Sequence, residues 1–164
     1  MAAEYSDEAY GDYPLPIGHG QTISQPYTVA YMLELLQPER GDRVLDVGSG
    51  SGWTTALLAN IVGPDGRVWG TEIIPELVEF GRANLAKYNF KNATIERAAG
   101  LGLPEHAPYD KILVSAAADE VPDSLLDQLA PGGITVIPIK TSVWKITHTE
   151  REEHPGFAFV PLIA

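Results

Sequence analysis

Two acids and a run of glycines are the residues of this chain whose types and spacing can do chemistry. Val44-Leu-Asp-Val-Gly-Ser-Gly-Ser-Gly52 carries Gly48, Gly50 and Gly52, with Asp46 two residues before the first glycine. Glycines at that density let a backbone turn tightly and come close to a ligand. Glu72 closes the next apolar run, Arg67-Val-Trp-Gly-Thr-Glu72. An acid in that place can accept hydrogen bonds from both hydroxyls of a ribose. The glycines fall as G-x-G-x-G, which is not the dinucleotide fingerprint, and the chain lacks the G-x-x-x-x-G-K-[ST] of a phosphate loop. Asp46 beside a helix start would repel a phosphate. It suits a cationic ligand, and the sulfonium and ammonium of S-adenosylmethionine fit. Asp46, Gly48, Ser49, Gly50, Gly52, Glu72 and Ile73 are the candidate cofactor residues.

Those residues need a strand, a turn and a helix to hold them. Val44, Leu45 and Val47 make a short β-favouring run, and Trp53 to Val62 repeats its apolar residues at helical spacing. The pattern then alternates. A helix is expected from Tyr27 to Leu36 behind Pro26, and another from Pro75 to about Tyr88. Strands are expected at Arg67–Glu72, Ala93–Arg97, Lys111–Ser115 and Ile134–Ile139. A further helix opens at Pro122, buries Leu125, Leu126 and Leu129, and stops at Gly132-Gly133. Strands alternating with helices imply an α/β fold, Rossmann-like, with a mostly parallel sheet and helices on both faces. Residues 142–149 and 157–163 read as a C-terminal antiparallel hairpin pair around the charged turn Glu150–Gly156.

Ahead of this lies an acidic lead-in, residues 1–13, whose Tyr5, Tyr10 and Tyr13 are expected to dock on the domain. Residues 14–26 follow, from Pro14 to Pro26. Two prolines and two glycines argue against regular structure in its first half, and its apolar content argues for a binding loop rather than a tether.

Length and charge narrow the options. The chain has 164 residues, enough for one domain with a sizeable core. It has no cysteine, so there is no disulfide framework and no thiol nucleophile. Eleven Lys and Arg face 22 Asp and Glu, a net charge of −11, and no basic cluster stands out. Nucleic-acid binders need a basic footprint, so DNA or RNA is not the expected partner. No apolar run approaches the ~20 residues of a membrane span, and no signal-peptide pattern is seen. A cytoplasmic protein without membrane contact is the expectation. His106, His148 and His154 lack metal-ligand spacing, so no metal is expected.

At this point a family resemblance emerges. Leu15-Pro-Ile-Gly-His-Gly-Gln-Thr-Ile-Ser-Gln-Pro26 resembles the loop ahead of the glycine motif in the protein-L-isoaspartate O-methyltransferases, a group of class I S-adenosylmethionine-dependent methyltransferases. Pro104–Asp110, Ser115-Ala-Ala-Ala118 with Val121-Pro122, Gln128–Gly133 and Phe159–Ile163 match in the family's order. The resemblance implies transfer of a methyl group from S-adenosylmethionine to the α-carboxylate of an isoaspartyl residue in a damaged protein, leaving S-adenosylhomocysteine. It implies that Ser24 is the active-site hydroxyl. Ile17, Gln21 and Thr22 on the same loop, with backbone N–H groups at Ala117 and Ala118, are expected to hold the peptide. A monomer is expected, since a repair enzyme must admit many peptide shapes.

The chain also departs from the pattern. The family usually has a helical segment ahead of the loop, and a Gly-Asp-Gly where this chain has Ala98-Ala99-Gly100. The family's aspartate helps hold the adenine, so Ala99 implies weaker or rearranged cofactor binding. Lys140-Thr-Ser stands where a longer glycine-rich loop is usual, implying a more open cleft. The alternatives are a methyltransferase with another carboxylate or small-molecule acceptor, and a scaffold that binds the cofactor without turnover. A nucleic-acid amino-methyltransferase would want [N/D]-P-P-[Y/F] where Ser115-Ala-Ala-Ala118 stands.

Overall fold

The computed structural model describes residues 3–163. Its centre is the strand–turn–helix unit expected around the glycines. Strand β3 (Arg43–Val47) runs into the turn, and helix α2 (Trp53–Val62) leaves it. On one side β3 pairs in parallel with β4 (Arg67–Glu72), which pairs with β5 (Ala93–Arg97). On the other side it pairs in parallel with β6 (Tyr109–Val114) and then β7 (Leu129–Ile139). Two antiparallel strands, β8 (Ser142–Ile146) and β9 (Arg151–Pro155), complete the order β5-β4-β3-β6-β7-β8-β9. The chain reverses its direction across the sheet at β3, between β4 and β6. Ligands of such sheets bind at the carboxyl ends of the strands at that switch.

Register decides what each face buries. Val44, Val68, Ala93 and Leu113 point one way, where α1 (Pro26–Leu36), α2 and α3 (Pro75–Leu85) bring Met32, Leu36, Leu58, Val62 and Val78 against them. Leu45, Trp69, Ile112 and Ile137 point the other way, covered by the four-residue α4 (Asp123–Leu126), a 3-10 turn at Pro104–His106 and their loops. The helical cover is therefore unequal, with three full helices on one face. Pro26 and Pro75 sit in the first turns of α1 and α3, where a missing N–H costs nothing.

Three sequence expectations are corrected. Gly132-Gly133 does not end a helix: both lie inside β7, where the pairing with β6 slips between Tyr109 and Lys111. Gly132 has φ +78, and a Cβ on Gly133 would fall 2.9 Å from the Asp110 carbonyl, so the pair serves a bulge. Leu129 accordingly opens the strand rather than extending α4. The charged stretch after Glu150 is not a turn but the edge strand β9, whose exposed face tolerates charge; the turn is at Thr147–Glu150, closed by the Thr147 hydroxyl accepting from Glu150 N at 3.0 Å. Residues 157–163 form no second hairpin arm. They return over the sheet and bridge to Ala117 through Pro161.

The binding loop is also more regular than its prolines suggested. Leu15–Gly18 (β1) and Gln21–Ile23 (β2) form a two-stranded hairpin. His19 (φ +54) and Gly20 (φ +73) make its two-residue turn, both in the left-handed region that such turns require. His19 is thus an exposed turn residue. Of the lead-in tyrosines, Tyr13 donates its hydroxyl to Glu8, whereas Tyr10 is 87% exposed.

Candidate active site

One cleft gathers most of the sequence candidates at the carboxyl ends of β3, β4 and β6. Its walls include Ile17, Gln21, Thr22 and Ser24 from the hairpin, Gly48, Ser49 and Gly50 from the glycine turn, and Glu72 and Ile73 after β4. The turn is held internally. Gly48 N and Ser49 N both donate to the Thr71 carbonyl at 2.9 Å, and Gly50 N donates to Glu72 Oε2 at 3.2 Å. Those N–H groups are not free to form an anion cradle, which agrees with the two acids against phosphate. Glu72 is buried, and its Oε1 accepts from Ile73 N (2.8 Å) and Ile74 N (3.0 Å). Its orientation is fixed before any ligand arrives, and Oε2 keeps acceptor capacity.

Asp46 stands elsewhere than the sequence placed it. It is fully buried behind the turn and does not line the cleft. Its Oδ2 accepts from Thr54 Oγ1 at 2.8 Å and Thr55 Oγ1 at 2.6 Å, which ties the first turn of α2 to β3. Oδ1 has no partner among the described residues. Burial pushes the Asp46 carboxyl up to about 6; the two threonine hydroxyls pull the other way and Glu72 adds to the rise. Thr54, which does line the cleft, is the side chain Asp46 positions. Ser49 Oγ is likewise buried without a partner, at the cleft wall. Gly52 lies outside this cleft. It begins α2 at φ +80, and a Cβ there would stand 2.9 Å from the Gly81 carbonyl. Its bareness permits α2 and α3 to touch.

Ser24 does not cap helix α1. The N-cap position is Gln25, and it makes no side-chain cap bond. Ser24 lines the cleft instead. The expectation at Ala117 and Ala118 is corrected. Ala117 N donates to the Val160 carbonyl (2.8 Å) and Ala118 N to the Pro138 carbonyl (3.0 Å), so these N–H groups are spent within the chain and cannot hold a peptide. Their neighbours Ser115 and Ala116 line the cleft, as do Val160 to Ile163 from the returning tail. Those tail residues were not assigned to the site from sequence, although Phe159–Ile163 had been noticed as a motif; only the bridge from Pro161 to Ala117 carries them there. Gly100 and Leu101 line the end beyond Ile73, and Ala99 is exposed.

The arrangement fits a nucleoside cofactor with a positive charge. A preset acid faces a potential ribose, apolar Ile73, Ile74 and Leu101 flank it, and the Ser49 hydroxyl at the cleft wall has no partner among the described residues. The model of the protein-L-isoaspartate (D-aspartate) O-methyltransferase family matches residues 1–161. This chain belongs to that family. It is 50% identical over 168 aligned residues to the protein-L-isoaspartate O-methyltransferase of Methanopyrus kandleri, covering 96% of this chain and 74% of that protein. It is 55% identical to the Aeropyrum pernix protein of the same name, over 84% of this chain and 54% of the relative. Among solved structures, that of a Plasmodium falciparum protein described as a family member in complex with S-adenosyl-L-homocysteine superposes with a TM-score of 0.83 at 29% identity, covering 93% of this chain and 80% of that one. The class I methyltransferase fold that the resemblance implied is thus the fold observed. No helix among the described residues is long and apolar enough to cross a membrane.

Proposed function

We propose that this chain transfers the methyl group of S-adenosylmethionine to the free α-carboxylate of L-isoaspartyl residues in aged proteins, and that it does so as a cytoplasmic monomer acting on protein rather than nucleic acid. One observation carries the reading: Ser24 and the preset Glu72 line the same cleft in a chain of this family. The net charge of −11 supports a non-nucleic-acid partner.

The chemistry asks little of the protein beyond placement. A carboxylate with a pKa near ~4 is already ionised at neutral pH, so no general base is needed. S-adenosylmethionine, when bound, supplies an electrophilic methyl on a sulfonium. Glu72 takes the ribose hydroxyls through Oε2 and the lone pairs that its backbone donors leave. Asp46 holds Thr54 and the start of α2, and lends its negative charge from behind the turn. Ser24 donates its hydroxyl to one oxygen of the acceptor carboxylate and so orients the other toward the methyl. Residues of the hairpin and Val160–Ile163 exclude water from the cleft, which strips the carboxylate of solvent and raises its reactivity. The backbone amide nitrogen that follows attacks the resulting ester and expels methanol, giving a succinimide that water can reopen to normal aspartate.

The test is transfer of labelled methyl to two peptides that differ only in carrying isoaspartate or aspartate. Base-labile label on the isoaspartyl peptide alone is expected. Label on neither, with S-adenosylhomocysteine binding intact by calorimetry, overturns the reading in favour of another acceptor or a scaffold.

A further inference from the structure

A second cavity, of about 300 Å³, adjoins the cleft and shares Ile23, Ser24, Ser51 and Trp53 with it. Its further walls come from the lead-in, through Tyr10 and Tyr13, from α2, through Ala56, and from the 3-10 turn after α3, through Tyr88. Few large hydrophobic side chains are exposed among the described residues: Tyr10, Tyr13, Tyr27, Tyr88 and Ile163. Three of the four tyrosines ring this cavity, and Ile163 lines the cleft. Exposed aromatics gathered at one concavity mark a recognition surface, because each ring offers a large apolar face at little cost in conformational freedom. The amide of Asn84, the ammonium of Lys87 and the hydroxyl of Tyr13 are already engaged. Asn84 Nδ2 donates to the Ser51 carbonyl at 3.0 Å, Lys87 Nζ donates to Asn84 Oδ1 at 3.0 Å, and the Tyr13 hydroxyl donates to Glu8. The rings of Tyr10, Tyr13, Tyr88 and Trp53, with Leu15, Ile23 and Ala56, give the cavity a largely apolar wall.

Ser24 fixes who that visitor is. It is a wall of both spaces, and an acceptor carboxylate held at its hydroxyl brings its own peptide with it. Neighbouring residues of an extended peptide lie ~3.3 Å further along per step, so a flanking side chain is within reach of the second space. We propose that this cavity receives an apolar or aromatic side chain from a residue flanking the isoaspartate of the substrate. This rests on the isoaspartyl reading given above. It makes the enzyme selective among damaged sites, favouring those beside a large hydrophobic residue.

The experiment uses three isoaspartyl peptides: alanine on both sides, phenylalanine on the amino side, and phenylalanine on the carboxyl side. One phenylalanine peptide is expected to show kcat/KM about tenfold or more above the alanine peptide, mostly through KM, as burial of a large apolar side chain predicts. Tyr88→Ala, at an exposed position, and Ala56→Leu, which fills the cavity, are each expected to cut that gain to about twofold or less. Both should leave kcat/KM for the alanine peptide and the affinity for S-adenosylhomocysteine unchanged. Equal kcat/KM for all three peptides overturns the proposal while leaving the isoaspartyl reading intact, and so does a gain that survives both variants. Methylation of no isoaspartyl peptide overturns that reading and this inference with it.

Discussion

Glu72 Oε2 accepts a hydrogen bond from Gly50 N at 3.2 Å, so the acid that ends β4 is bonded directly to the middle of the glycine turn that follows β3. The two parts of the cofactor cleft are thereby set as one unit. Glu72→Gln presents an amide N–H₂ to a site filled with three backbone donors. Charge-assisted bonds are worth roughly 1.5–3 kcal/mol each, so S-adenosylhomocysteine should bind about tenfold to a hundredfold more weakly. Calorimetry reads this directly, and an unchanged Kd would remove Glu72 from the ribose role.

Ser24→Ala should separate turnover from binding. Loss of a single positioned donor at a reacting oxygen lowers kcat by about tenfold to a thousandfold, while the affinity for S-adenosylhomocysteine should stay within about threefold. If both fall together, Ser24 shapes the hairpin rather than the reaction.

Asp46 makes the stability of the ligand-free protein depend on pH. Its carboxyl titrates near 6 when folded, against 3.8 as the ordinary value. The folded state therefore holds the proton more tightly than the unfolded one. This contribution to stability is complete below pH ~4 and is lost as pH rises through about 6, by roughly 3 kcal/mol in all. Asn at this position cannot titrate. The stability of the parent chain minus that of Asp46→Asn, measured by urea unfolding from pH 4 to pH 7, should fall across that window. A flat difference would mean that the carboxyl keeps its ordinary value in the fold.

Gly81→Ala should be destabilising despite its place inside helix α3. Helix propensity alone would favour alanine by ~1 kcal/mol. A Cβ at Gly81, however, would stand 2.8 Å from the Gly50 carbonyl and 3.0 Å from Ile95 Cδ1. The carbonyl is backbone and cannot step aside by changing rotamer, so overpacking of about 1–3 kcal/mol wins. Because the displaced atom belongs to the glycine turn, cofactor affinity should drop as well. A variant with raised Tm and unchanged affinity would contradict this.

How much could be read in advance follows from how local each signal was. The strand–turn–helix unit at Val44–Val62 was legible because its periodicity changes within a few residues, and the glycines mark where. Glu72 and Ser24 lie on short runs that both reach the cleft. The failures were long-range. Gly132-Gly133 resembles a helix stop until β6 is known to lie beside it and to demand a bulge. The edge strand β9 is hidden in charge, because only one of its faces meets the molecule. Ala117 and Ala118 seemed free to hold a peptide since nothing nearby in sequence claims their N–H groups; the claimants, Val160 and Pro138, arrive from 20 to 43 positions away. Asp46 was identified as an acid of the site but not as a buried one, because alternation in a strand covered on both faces does not say which residues lie behind the turn.

The cleft is walled by Ile17 to Ser24 on one side and Val160 to Ile163 on another, so residues near opposite ends of the described chain meet over its middle. During synthesis the sheet through β6 can form while Val160–Ile163 are still to be made, and that side of the cleft stays open until they arrive. A fragment ending before Val160 would keep the cofactor-side groups and lose the enclosure that keeps water from the methyl donor. Enclosure of the cleft is thus coupled to the synthesis of Val160–Ile163, long after the groups that hold the cofactor side are in place.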